Sequence, residues 1–220
     1  PLLEACSADI ERGKFITLEG GEGVGKSTNL AFLQARLLDA GIDVRITREP
    51  GGTPLGEAIR SLLLNEGPTA PSALAEVLLV FAARAQHIQE VIEPALAAGR
   101  WVLCDRFTDA TYAYQGFARG LSQSAIATLE SLVQGSLQPD LTVLLDLPPS
   151  IGLKRASQRA ELDRFEVEDE AFFNRVREGY LTRSLENPER WLVINAGQDL
   201  EGVQRALAQG FSSWMASHGS

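Results

Sequence analysis

The sequence predicts an α/β fold, a parallel β-sheet covered by helices on both faces. Two observations lead there. Short apolar segments rich in Val, Ile and Leu alternate along the chain with longer segments whose apolar residues recur at helical spacing. Between the first two lies Gly20-Gly21-Glu22-Gly23-Val24-Gly25-Lys26-Ser27-Thr28, which fits G-x-x-x-x-G-K-[ST], a phosphate-binding loop that joins a strand to a helix. In such a sheet ligands bind at the carboxyl ends of the strands, and crossovers are right-handed.

Taken in order, residues 1–13 read as an N-terminal tail and 14–217 as a single domain. The first strand is expected over 14–19, followed by the loop and a helix to Ala40, with Gly41 as its stop. A second strand is expected over 42–46, then the turn-rich stretch 47–54 and a helix over 55–64. A long helix spans 73–98, with a kink or restart at Pro94. Trp101-Val102-Leu103-Cys104 reads as a buried strand that ends in Asp105-Arg106. Helical segments then begin near Thr108 and cover 123–134. A strand over 141–146 leads past Pro148-Pro149 into a helix that starts near Ser150 and runs into 154–166. Residues 169–186 form another helix, 191–194 the last strand and 200–214 the last helix.

Composition narrows the function classes. The net charge of −9 argues against a broad nucleic-acid surface, while a basic cleft within an acidic protein stays compatible with it. No apolar run reaches the ~18 residues that span a bilayer, and the first residues lack a basic-then-apolar signal pattern. Two cysteines, Cys6 in a polar stretch and Cys104 in an apolar strand, predict no disulfide framework and a reducing, cytoplasmic setting.

The chemistry starts at the loop. Its glycines turn successive backbone N–H groups inward, and the following helix aims its positive end at the same point. Lys26 reaches the β- and γ-phosphates and the Ser27 hydroxyl is placed to ligate Mg²⁺. The residues therefore predict binding of a nucleoside triphosphate. An Asn-Lys-x-Asp base-reading motif is absent, which argues against a GTPase. The acid after the third strand, Asp105, is followed by Arg106 rather than by a second acid. That pair suggests a metal neighbour and a second anion in one site. Arg48 and Arg106 lie next to strand ends, where a planar guanidinium suits bidentate phosphate binding; Arg36 and Arg45 read as solvated surface charges. Arg84 sits mid-helix among apolar neighbours and needs a buried partner, for which a ligand carbonyl is one candidate. Glu22 is a carboxylate inside an anion-binding loop, so a cation or a sugar hydroxyl is its expected partner. From the residues alone, Tyr114 fits a core aromatic as well as a ligand contact, and Thr111 an ordinary helix residue.

Five stretches together resemble the thymidylate kinase family, in its bacterial type with lid arginines. They are Gly20–Thr28, Thr47-Arg48-Glu49-Pro50-Gly51-Gly52-Thr53, Phe81-Ala82-Ala83-Arg84, Asp105-Arg106-Phe107 through Ala113-Tyr114-Gln115, and Glu161-Leu162-Asp163-Arg164. The Arg-Glu-Pro-Gly-Gly turn and the Ala-Tyr-Gln segment are the specific ones. The resemblance implies a P-loop nucleoside-monophosphate-kinase-like fold with a five-stranded parallel sheet, a short mobile lid at about 154–166 and a homodimer. It implies transfer of the γ-phosphoryl of ATP to dTMP with Mg²⁺, giving dTDP for dTTP supply. By this similarity Arg48, Arg60 and Arg106 lie around the dTMP phosphate, Arg84 donates to thymine O4, and Thr111 and Gln115 hydrogen-bond the base. Tyr114 packs under the sugar, Glu22 meets the 3′-hydroxyl and Asp105 orients the metal through water. Lys26, Arg106 and Glu22 then serve catalysis. The loop offers no arginine, so Arg159 is expected to bring charge from the lid, with Arg155 and Arg164 as neighbours. The family places an aromatic four residues before the base-reading arginine; that position is Val80, and Phe81, three before, is expected to stack on the base. A serine often found before Thr111 is Ala110. The rival readings are a kinase for another nucleoside monophosphate and a nucleotide-dependent switch without phosphotransfer.

Overall fold

Five strands, β1 (Phe15–Glu19), β2 (Val44–Arg48), β3 (Trp101–Asp105), β4 (Leu141–Asp146) and β5 (Trp191–Asn195), form one sheet in the order β2-β3-β1-β4-β5. Every neighbouring pair is parallel. The structure, a computed structural model, describes residues 11–64, 70–157, 165 and 168–218. Parallel strands buried on both faces need apolar residues throughout, and all five residues of β1 are buried. Alternation sends them to two cores. Ile16 and Leu18 pack with Leu33, Leu37, Leu207 and Phe211, the inner faces of α1 (Lys26–Asp39) and α9 (Leu200–His218). Phe15 joins Ile92, Leu96 and Phe107 on the opposite side. That second face also carries Thr17, Glu19 and Thr142: the Thr17 hydroxyl donates to that of Thr142, while Glu19 accepts from Phe107 N–H and the Tyr180 hydroxyl.

The chain leaves β1 towards β2 and leaves β4 towards β5, so the topology reverses beside β1. The phosphate-binding loop follows β1 there, where an open α/β sheet forms its crevice.

Two expectations shift in the details. The second strand runs over Val44–Arg48 rather than 42–46. Gly41 takes φ 76° and its N–H donates to Leu38 O, while Ile42 N–H donates to Leu37 O. Ile42 therefore closes a Schellman stop on α1, and β2 starts only where Val44 can pair with Trp101. Arg48 is consequently the last residue of the strand, beside Asp105. The long helix expected over 73–98 is α3 (Ala73–His87), a π turn at Ile88–Ile92 and α4 (Glu93–Ala97). Ser72 caps α3 by accepting from Ala75 N. Pro94 lacks an N–H, and the widened π turn just before it lets the chain continue without a clash.

Between these lie α2 (Pro54–Leu64), which packs on α3, α5 (Thr108–Thr111), and a second π turn at Tyr112–Ala118. They are followed by α6 (Gln123–Gln134), α7 (Pro149–Ala156) and α8 (Glu170–Glu186). The helix expected to run into 154–166 is described only as α7; Arg159 and Arg164 lie outside the described residues, as does Cys6.

Candidate active site

A cleft of about 530 Å³ opens at the carboxyl ends of the strands. Residues 22–28 of the phosphate-binding loop and α1 form one wall. Gly25 precedes α1 with φ 89°, and Gly23 takes φ 69°. A Cβ on Gly23 would fall 2.0 Å from Gly152 O, and one on Gly152 would fall 2.3 Å from Glu22 O. Glycine at both positions lets the loop backbone lie directly on α7. Lys26 Nζ donates to Gly20 O (3.3 Å) and Gly21 O (3.1 Å). Burial, and then the Arg106 guanidinium, lower its pKa from the usual ammonium value. The loop thus holds a concentrated positive potential, suited to phosphate oxygens.

The opposite wall is set by the turn after β2 and by α3. Arg84 is 1% exposed. Its Nε donates to Glu49 Oε2 at 2.7 Å and its second terminal nitrogen to Thr111 Oγ1 at 3.0 Å. The guanidinium lies between the rings of Phe81 (4.7 Å) and Phe107 (5.0 Å). Its NH1 is buried without a hydrogen-bond partner. An unpaired donor on a buried cation is costly, and Arg84 lines the cleft, so a ligand acceptor fits there. Thr111, Tyr114 and Gln115 also line it. Gln115 Nε2 donates to the buried Glu76 at 2.7 Å.

Arg106 joins the two walls. It adopts φ 68°, a left-handed conformation that is uncommon for a residue with a side chain. Its guanidinium donates to Glu22 Oε1 at 2.7 Å, to Gly20 O at 3.1 Å and to Tyr180 Oη at 3.2 Å, above the Tyr114 ring. Burial opposes its charge, but Tyr114, Glu22, Tyr180 and Asp105 outweigh that and raise its pKa. Glu22 Oε1 also accepts from the Tyr114 hydroxyl at 3.0 Å. Arg60, which donates to Pro50 O, lines the cleft as well; burial, then the nearby Arg48 and Arg106, lower its pKa.

Beneath Arg106 lies a carboxylate that the sequence reading passed over. Glu19 is 0% exposed; its Oε1 accepts from Phe107 N at 2.7 Å and its Oε2 from Tyr180 Oη at 2.8 Å. Burial pushes its pKa up to about 8 and Asp109 adds to this, while Arg106, Tyr180 and the Phe107 N–H pull the other way. Asp109 is gripped by Arg183 and Arg190.

The structure brings most of the expected site residues to one cleft: Glu22 to Thr28, Arg60, Arg84, Asp105, Arg106, Thr111, Tyr114 and Gln115. Gly20 and Gly21, whose carbonyls accept from Lys26 Nζ, are not among the lining residues, and Phe81 and Arg48 are also placed differently. Phe81 is packed behind Arg84 with Val77, Tyr112 and Ile126, because its helical offset turns it into the core; Val80 takes the cleft-lining position. The expected stacking of Phe81 on a base is thereby replaced by stacking on the arginine. Arg48 is half exposed and paired with Glu57 at 2.8 Å, at the rim rather than in the wall. Besides Glu19, sequence reasoning missed Glu49, Glu76, His87 and Tyr180. A carboxylate ending an apolar strand just before the loop was a readable signal for Glu19.

Asp105 and Ser27 face the same cleft. Asp105 Oδ1 is buried without a hydrogen-bond partner. A buried acceptor left open beside a loop hydroxyl fits a largely hydrated divalent cation such as Mg²⁺.

The sheet order, the loop after β1 and the guanidinium-lined wall facing it define the P-loop nucleoside-monophosphate-kinase-like class. Comparison with known proteins narrows this. The family model described as Thymidylate kinase matches residues 18–207. A thymidylate kinase from Teredinibacter turnerae is 59% identical over 203 residues, covering 92% of this chain and 99% of that protein. One from Pseudomonas putida is 61% identical over 195 residues, covering 89% and 93%. The crystal structure of thymidylate kinase from Ehrlichia chaffeensis superposes with a TM-score of 0.72 at 33% identity, covering 91% of this chain and 99% of that one. The chain belongs to the thymidylate kinase family.

Proposed function

We infer that the chain is an ATP-dependent kinase that transfers the γ-phosphoryl of ATP to dTMP, giving dTDP and ADP. One observation carries the reading: a single cleft has an amide-lined phosphate loop on one wall and the open donor of Arg84 on the other, with Arg106 between them. In the reaction a dTMP phosphate oxygen forms a bond to Pγ and the bond from Pγ to the β–γ bridging oxygen breaks. Negative charge spreads over the moving group, so placed cations do most of the work.

Lys26 and the loop amides hold the donor phosphates. Arg106 and Arg60 hold the acceptor phosphate, with Arg48 reaching in from the rim once it leaves Glu57. Glu22, already anchored by Arg106 and Tyr114, accepts a hydrogen bond from the sugar hydroxyl, and Tyr114 packs under the sugar. Thr111 and Gln115 contact the base with Arg84. Ser27 and Asp105 would hold Mg²⁺, whose chemistry there is neutralisation of phosphate charge. Arg159, from a lid at about 154–166, brings further charge to the transferred group, with Arg155 and Arg164 beside it. Arg155 donates to Ala196 O at 3.2 Å.

Leu62, Leu74 and Leu78 stay exposed on the packed pair α2 and α3, an apolar surface that supports a homodimer. Among the described residues no helix is long and apolar enough to cross a membrane, and Cys104 is a free buried thiol. We infer a cytoplasmic enzyme that acts on small-molecule substrates without a nucleic-acid or membrane partner, a reading that rests on the net charge of −9 and on the family's substrates. The test is a panel of nucleoside monophosphates with ATP, read by ADP release: dTMP should be the preferred acceptor. Turnover that is indifferent to added monophosphate would overturn the reading.

A further inference from the structure

We propose that Glu76, acting through Gln115, makes the base end of the cleft select a hydrogen-bond acceptor that adjoins a ring N–H donor. The proposal deepens the function inferred above and rests on Arg84 and Gln115 being the base contacts. A glutamine amide is nearly symmetric in shape and reads donors and acceptors alike unless something fixes which end faces the ligand. Glu76 supplies that constraint. It is 1% exposed, in α3 two helical turns before Arg84, and its Oε1 takes the Gln115 Nε2 hydrogen bond at 2.7 Å. Arg119 Nε lies 3.5 Å from the same oxygen. A carboxylate paired with an arginine offers acceptors only, so the amide must turn its donor end inward. Gln115 lines the cleft, and with its donor end committed to Glu76 the end it offers a ligand is Oε1, to which no described residue donates.

Arg84 is fixed in the complementary sense. Glu49 holds its Nε, Thr111 holds one terminal nitrogen, and NH1 stays open. Glu49 is itself held by His87 Nδ1 at 2.8 Å, and His87 Nε2 pairs with Thr47 Oγ1 at 2.6 Å. Each base reader is thus backed by a buried carboxylate, one presenting a donor and the other an acceptor. Thymine and uracil complement both. Cytosine, with an amino group beside a bare ring nitrogen, opposes both.

Glu76 is a positioning residue, so its test reads a ratio that a merely structural role leaves unmoved. In E76Q the pair of amides can reverse together, which lets Gln115 present its donor end. The kcat/KM ratio of dCMP to dTMP should rise by about 10- to 100-fold, the effect of relieving one mismatched buried hydrogen bond. The ratio of dUMP to dTMP should not change, because the two bases share the same edge. In E76Q/Q115E, residue 115 has only acceptor oxygens, and rejection of dCMP should return. Should E76Q not fold, this swap, which keeps one carboxylate in the buried pair, carries the comparison against the wild type. Strong rejection of dCMP there upholds the proposal, and equal use of dCMP and dTMP overturns it. A folded E76Q that loses activity on all monophosphates equally, with the dCMP to dTMP ratio unmoved, also overturns it. That result with a wild type active on dTMP leaves the proposed function standing; a wild type inactive on dTMP removes the function itself.

Discussion

Replacing Glu19 by Gln should change how stability depends on pH. The carboxyl is fully buried against Asp109, Arg106, Tyr180 and the Phe107 N–H, and its pKa rises from the ordinary 4.5 to about 8. The unfolded chain loses this proton near pH 4.5, while the folded protein keeps it until about pH 8. Between those values the folded state binds more protons, so raising the pH draws the equilibrium towards unfolding. Stability contributed by this group is therefore full below pH 4.5, falls through the window and levels off above pH 8. At about 1.4 kcal/mol for each factor of ten in proton affinity, the whole window is worth on the order of 4–5 kcal/mol. Gln keeps an acceptor for Phe107 N–H but has no proton to lose. Urea unfolding of the wild type and E19Q from pH 5 to 9 should give curves that converge on the acid side. They should separate by a few kcal/mol on the alkaline side, E19Q being the more stable. Parallel curves across that range would refute the assignment of a retained proton to Glu19.

Gly152→Ala lies outside the phosphate loop, yet its Cβ would sit 2.3 Å from Glu22 O. The overpacking costs about 1–3 kcal/mol and should raise the ATP Kd about tenfold by calorimetry, although Ala favours a helix. Arg84→Met strips the buried Glu49 of its guanidinium, which should cost about 3–5 kcal/mol in thermal or urea unfolding; it should also relax the rejection of dCMP. Arg159→Ala should lower kcat by about 10³-fold or more while leaving ATP affinity nearly unchanged; an unaltered kcat would remove Arg159 from the mechanism.

The strand–loop–helix order and the phosphate loop were legible because their signals are local: periodicity, glycines at fixed offsets, and a helix stop at Gly41. The need of Arg84 for a partner was legible too, since a lone cation among apolar residues has to be compensated. Which partner was not, because Glu49 comes from a different element 35 positions earlier. Glu19 could be noticed as a carboxylate ending an apolar strand, but its pairing with Tyr180 spans 161 positions and is not legible from either neighbourhood. Phe81 shows how a small angular difference matters. Three residues before Arg84 rather than four turns it out of the cleft and under the guanidinium. The second strand was placed early because Ile42 looks like a strand residue, when its backbone N–H serves to end α1.

The left-handed backbone at Arg106 has a consequence for the two residues it separates. Asp105 and Arg106 are consecutive in the chain and opposite in charge, the arrangement in which side chains usually neutralise one another. The reversed twist sends them to different tasks: the carboxylate keeps an oxygen uncommitted, while the guanidinium swings over the loop to Glu22 and Tyr180. A single contorted peptide thus keeps an anion and a cation apart at bonding distance along the chain, and leaves each available to a different part of the same reacting complex.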